Sequence, residues 1–258
     1  MRLMKRILSA AAVLALSASL LVGCSSGTAS SVPVSASSAA GSTVSSVEET
    51  ASSAADENEA AAAQLLNDLT GSYQELWPVI LADEYKQTWL DDCTALVGED
   101  NAEAAFEKLS SMVTGDVYGE DAVKAYANGG GAYFCGFTNS LAILTFDGET
   151  STISGTDKDG NVLFSHTYHY IGMEPVRGLY EFESDDADSG EFTYFFLAPD
   201  TSAETYHIEF RYGSDAEALS QYDAGEYAYW LASGISTDCD QTMINNCIEL
   251  FCTENLAG

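Results

Sequence analysis

Basic residues are scarce: 9 Lys and Arg stand against 40 Asp and Glu in 258 residues, a formal net charge of −31. A phosphate polyanion is bound by Lys and Arg that displace its counterions, so nucleic acid is excluded as a partner. The same deficit excludes peripheral docking on anionic lipid headgroups. There is no Gly-x-Ser-x-Gly elbow, no P-loop and no Cys-x-x-Cys. That removes the usual signatures of an esterase nucleophile, a nucleotide phosphate site, a zinc ribbon and a thioredoxin-like redox centre. Histidine is limited to His166, His169 and His207, so any imidazole chemistry rests on these three. No internal repeat is present, and beyond residue 22 no apolar run is long enough to cross a bilayer. What is abundant is core material, 46% hydrophobic and 11% aromatic. The chain is therefore expected to fold as one acidic domain whose small partners are cations or neutral molecules, and not as an enzyme.

The N-terminus reads as an address. Arg2, Lys5 and Arg6 precede an uncharged apolar stretch over 7–22, the layout of a signal peptide. It ends in Leu21-Val22-Gly23-Cys24, which resembles a bacterial lipobox. Residues 1–23 are thus expected to be a lipoprotein signal peptide, with Cys24 lipidated and the protein held outside the cytoplasm on a cell membrane. Residues 24–57 are mostly Ser, Ala, Gly, Thr and Val, with one proline, Pro33, and no aromatic residue. Such a stretch buries too little surface to offset its ordering entropy and is expected to be a disordered tether. Residues 58–258 are expected to form the single domain.

That domain changes period midway. Leu65, Leu66 and Leu69, then Tyr73 to Leu81, then Trp89, Leu90 and Leu96, then Ala105, Phe106, Leu109 and Met112 fall at helical spacings, with breaks at Gly71 and Pro78. After Gly129-Gly130-Gly131 the period becomes two. Aromatic or β-branched runs at 132–137, 141–146, 151–155, 162–171, 178–183, 191–197 and 205–212 are separated by turn chemistry such as Asp147-Gly148 and Asp159-Gly160. Short helices are expected at 215–220 and 241–253, the latter with Ile244, Cys247, Ile248 and Phe251 on one face. The fold class is α+β: an antiparallel meander, closed or nearly closed into a barrel over 132–212, with helices from both ends packed around it.

The candidate chemistry is small. On the strand at 205–212, Tyr206, Ile208, Phe210 and Tyr212 face one way, and Thr205, His207, Glu209 and Arg211 the other. An imidazole and a carboxylate two apart on one strand project side by side, and both are zinc ligands. The plain alternative is the polar outer face of an ordinary strand. On the strand at 162–171, His169 shares its face with Ser165 and Thr167 and is the better choice for a third ligand. His166, beside Phe164 and Tyr168, reads as a core or rim residue. Asp157-Lys158-Asp159-Gly160 lacks the acidic positions of a calcium loop and reads as a hairpin turn. Cys93, Cys135, Cys239, Cys247 and Cys252 remain besides Cys24. Cys247 and Cys252 read as small buried hydrophobes. A disulfide from Cys239 to Cys93 or Cys135 is compatible with export, and the sequence does not choose between them.

Five stretches stand in order along the domain: Leu69-Thr70-Gly71-Ser72-Tyr73-Gln74-Glu75-Leu76-Trp77-Pro78, the strand through Tyr168-His169-Tyr170, Phe195-Phe196-Leu197-Ala198-Pro199, Tyr206-His207-Ile208-Glu209-Phe210-Arg211-Tyr212-Gly213, and Tyr227-Ala228-Tyr229-Trp230-Leu231-Ala232 with the last helix. In these stretches and their order the chain, from about residue 62 onward, resembles the ZinT family of exported zinc- and cadmium-binding domains. The resemblance implies a calycin-type, lipocalin-like barrel with attached helices and a metal site of three histidines near a barrel opening. His207 matches the first His of the family's His-x-His pair, Glu209 stands in place of the second, and Phe195 falls where the third is expected. A reduced site of His207, Glu209 and His169 is thus the candidate for Zn²⁺ or another divalent cation. The resemblance also implies a link to a zinc ABC importer component. The alternative is a metal-free calycin that takes a small apolar or aromatic ligand into its barrel, or that acts as a surface interaction domain.

Overall fold

The structure, a computed structural model, describes residues 45–115, 117–129, 133–199 and 206–257. The expected signal peptide, Cys24, and the tether as far as residue 44 lie outside the described residues. The remainder of the expected tether, residues 45–57, is helical. Helix α1 spans Ser45–Asp68, so it starts well before the Ala-rich run where the apolar spacing begins. Ala and Glu dominate this stretch and carry the helix backward without any apolar periodicity.

The chain then runs β1 (Gly71–Glu75), α2 (Leu76–Ile80), a single 3₁₀ turn (Asp83–Tyr85), α3 (Lys86–Val97), α4 (Glu99–Val113) and α5 (Glu120–Ala127). The meander follows as β2 (Ile143–Asp147), β3 (Thr152–Thr156), β4 (Val162–Met173), β5 (Tyr180–Ser184), β6 (Tyr194–Leu197) and β7 (Ile208–Gly213). After α6 (Ala216–Leu219) come β8 (Ala232–Ser236) and α7 (Gln241–Leu256). All eight strands pair antiparallel in chain order, and β8 closes on β1 through Tyr73↔Ser236, Gln74↔Ile235 and Glu75↔Gly234. The α+β class and the closed antiparallel barrel are as expected; an eight-stranded up-and-down barrel is the calycin arrangement.

Four expectations change. The barrel does not close within 132–212, because β1 and β8 complete it from either side. Tyr73 was grouped with a helix by its spacing. Instead it points into the barrel, edge-on to Phe146 with centroids 5.7 Å apart. The expected strand at 132–137 stays outside the barrel: among its described residues Phe134 makes only isolated bridges, to Thr114 and Trp230. The strand expected at 191–197 is shortened by a 3₁₀ turn over Gly190–Phe192.

Two cores result. The barrel interior is filled by side chains, among them Phe146, Phe182, Phe195, Phe210 and Tyr212, all essentially inaccessible, with Leu65, Leu66 and Leu69 of α1 joining the same cluster. The second core lies outside the barrel, where Trp77, Ile80, Trp89, Leu109, Ile244 and Ile248 of the helices pack with Ile235 of β8. A barrel strand between two cores is buried on both faces, which is why β8 consists of Ala, Ser, Gly and Ile with its first four residues buried.

Candidate metal centre

Strand β7 separates its faces as its period requires. Ile208, Phe210 and Tyr212 are buried in the barrel core, and Glu209 projects outward toward the helical layer. His207, immediately before β7, turns the same way. Its Nε2 stands 3.9 Å from Glu209 Oε1. The wall facing them is α7, fixed at its start by Asp240, whose carboxylate accepts the Met243 N–H at 2.9 Å. That cap sets the phase in which Cys247, Leu250, Phe251 and Glu254 meet β7. His207, Glu209, Cys247 and Glu254 line one cavity of about 50 Å³, floored by Leu76, Trp77 and Ile80 of α2. The space suits an ion with a little water, not an organic ligand.

The pair sets an imidazole beside a carboxylate, and each shifts the other's protonation. Burial by itself would depress the His207 imidazole, but hydrogen bonds to Cys247 and Glu209 and the Glu209 charge outweigh it. The result is a pKa well above that of an ordinary histidine. For Glu209, burial acts to raise the carboxyl, and the His207 hydrogen bond and charge, with Arg177 adding its own, bring it below the usual carboxylate range. Imidazole nitrogen, carboxylate oxygen and thiolate sulfur are the donor types that zinc takes. In kind the residues fit. As placed, no three His, Cys, Asp or Glu side chains among the described residues converge as a metal cage.

The structure does not bring His169 to this group. It lies on β4, with β5 and β6 between that strand and β7 in the barrel order, and its Nδ1 is 2.8 Å from Asp185 Oδ1 on the exposed surface. Face parity within a strand says nothing about position around a barrel, and that is where the choice of His169 as third ligand fails. His166 is a rim residue as expected, 2.8 Å from Asp186. Phe195 is inside the barrel against Phe164, Tyr168 and Tyr212, on the other side of the sheet from the pair. Thr205 lies outside the described residues. Cys247 is the donor that sequence reasoning missed: its helical spacing marks a core position, and only the packing of α7 on β7 reveals its neighbour His207.

Arg211 shares the outward face and is fully buried, because the segment after β7 folds over it. Its guanidinium donates to the carbonyl oxygens of Leu219, Gln221 and Tyr227 and lies 4.3 Å from the Tyr222 ring centroid. It is a structural cation, outside the cavity. A larger cavity of about 300 Å³ also touches Trp77 and is lined by Pro78, Leu81, Val113, Phe134 and Cys135. Glu75 supplies its carboxylate, which accepts the Phe137 N–H at 2.6 Å.

The class these observations define is an eight-stranded antiparallel barrel with a helical layer over a small acidic pocket. No family model matches the chain, and no curated protein matches it. Among solved structures it is similar to the Zn(II)-bound ZinT-like domain of Streptococcus pneumoniae AdcA, at 16% identity and a TM-score of 0.45, over 72% of this chain and 89% of that one. It is also similar to Zn(II)-bound AdcA from Streptococcus pneumoniae, at 15% identity and a TM-score of 0.42, over 70% of this chain and 34% of that one.

Proposed function

We propose that this chain is a divalent-metal-binding protein, with zinc as its cargo, and not an enzyme. The observation that carries the reading is the small cavity lined by His207, just before β7, by Glu209 of β7 and by Cys247 of the helix packed on that strand. Nitrogen, oxygen and sulfur donors in an ion-sized space favour zinc over magnesium or calcium, which take oxygen alone. The protein's negative field gathers divalent cations toward whichever donors hold them. The resemblance to the ZinT family points the same way. The alternative of an aromatic ligand inside the barrel has no support from a barrel interior already occupied by Phe182, Phe195, Phe210 and Tyr212.

The lipobox-like Leu21-Val22-Gly23-Cys24 supports a lipid anchor outside the cytoplasm, which would hold zinc near the membrane for an ABC importer component. Two experiments separate these statements. Metal analysis of the purified full chain should find zinc at up to one ion per chain, lost on Cys247→Ser combined with His207→Ala; zinc retained by that double variant contradicts the site. Cys24→Ala should release the protein from the membrane fraction or leave it at precursor size. A variant of mature size that still sediments with membranes contradicts the anchor.

A further inference from the structure

We infer that Cys93 and Cys252 are joined by a disulfide in the mature protein, tying α3 to α7. The two residues are 159 positions apart, yet their Sγ atoms lie 3.9 Å apart in the outer core. Both side chains are completely buried. A disulfide needs its sulfurs at about 2.05 Å, so the pair must close by roughly 2 Å, and it does so between two helices already packed together. Of the remaining cysteines, Cys135 stands beside Ser233 and Trp77, Cys247 stands beside His207, and Cys239, partly exposed, neighbours Asp240 and Cys247. The pairing differs from the Cys239 partnerships left open by the sequence. Two thiols in contact are small hydrophobes in a reducing compartment, but in an exported protein they meet oxidants.

The bond forms by exchange with a small-molecule or protein disulfide. One thiolate of the pair attacks that disulfide and breaks its S–S bond, forming a mixed disulfide and releasing one thiol. The second thiolate then attacks the protein sulfur of the mixed disulfide and releases the other thiol. The two cysteines lose two electrons and two protons, and the oxidant is reduced to two thiols. Burial pushes both thiols up in the folded state, so the attacking thiolate is suppressed once α7 has docked. Closure therefore belongs to folding, and the finished bond is shielded from reductants.

The consequence for the pocket rests on the metal reading. Cys252 lies on the same helix as Cys247, Leu250, Phe251 and Glu254, which form the pocket wall. A tie to α3 fixes that wall in position, and pre-organised donors bind more tightly.

The test refolds reduced, denatured full chain in a glutathione and glutathione-disulfide buffer, so that export plays no part. After denaturation and alkylation, the intact protein should be about 2 Da lighter than the fully reduced chain before alkyl groups are counted. Peptide mapping should find Cys93 linked to Cys252. Dithiothreitol should break the link only when denaturant is added. Alkylation of both Cys93 and Cys252, or a link from either to another cysteine, overturns the proposal. Zinc should bind the oxidised chain at least about threefold more tightly than Cys93→Ser with Cys252→Ser. Equal affinities overturn the clamp on the pocket. If neither form binds zinc, the metal reading fails, and the linked peptide still decides the disulfide.

Discussion

At the scale of single residues, two positions on one strand face carry opposite duties. Arg211 is held by three carbonyl oxygens and an aromatic face, all from the segment that covers it. Arg211→Ala strands those acceptors in a dry site and should cost about 3 kcal/mol, a loss of several degrees in Tm. Arg211→Lys should recover little, because one ammonium cannot span three acceptors. Thermal unfolding checks both; a variant within one degree of wild type contradicts the role. His207 has a pH signature instead. In the metal-free protein its pKa is raised in the folded state, so its contribution is fully present below the unfolded value of 6.5 and is lost as pH rises through the folded value. Glu209 is lowered, so its contribution is present above 4.5 and is lost as pH falls through its folded value. The Tm difference between wild type and His207→Ala should therefore be greatest near about pH 5–6 and shrink toward alkaline pH. Zinc competes with the same proton, so its affinity should keep climbing well above the pH at which an ordinary imidazole has lost its proton. An NMR titration that places His207 at or below 6.5 would contradict both statements.

At the scale of elements, the closed meander was legible and the two strands that close it, β1 and β8, were not. Strands β2 to β5 and β7 follow from period two and from turns such as Asp147-Gly148, whose Asp147 carboxylate accepts the Glu149 N–H. Asp157 likewise closes its turn by accepting the N–H groups of Asp159 and Asn161, as a hairpin and not a calcium loop. Strand β8 carries no β-branched or aromatic signal beyond Ile235, because small residues are what fit between two cores. Strand β1 hid behind a helical spacing that belongs in truth to two elements, a strand ending at Glu75 and a helix beginning at Leu76. The end of α1 is locked to the β2–β3 turn: Thr70 Oγ1 accepts the Gly148 N–H at 3.0 Å, and a Cβ at Gly148 would stand 2.4 Å from the Asn67 Cα. Backbone, not a movable side chain, is the obstacle. Gly148→Ala should therefore cost about 1–3 kcal/mol and expose α1 to protease before the barrel yields. Cleavage that spares α1 in this variant, with unchanged Tm, would show that the close approach is not maintained in solution.

At the scale of the whole molecule, the site is an interface between the two halves of the sequence logic. The strand half was readable, because His207 and Glu209 lie two apart on a period-two segment. The helix half was not, since Cys247 reaches His207 only through the packing of α7 on the outside of the barrel. His169 was misplaced for the same reason: its partner, Asp185, and its distance from β7 are properties of barrel circumference and not of any local pattern. In the proposed function, the outward face of β7 and the inward face of α7 together hold a zinc ion in a chain of net charge −31. Calorimetric titration of zinc into the metal-free full chain and into His207→Ala tests it most directly. One principal site is expected in the wild type and at least about a tenfold loss of affinity in His207→Ala, with a smaller loss in Glu209→Ala because other carboxylates lie near. Equal heats from wild type and His207→Ala, or no heat from either, would contradict it.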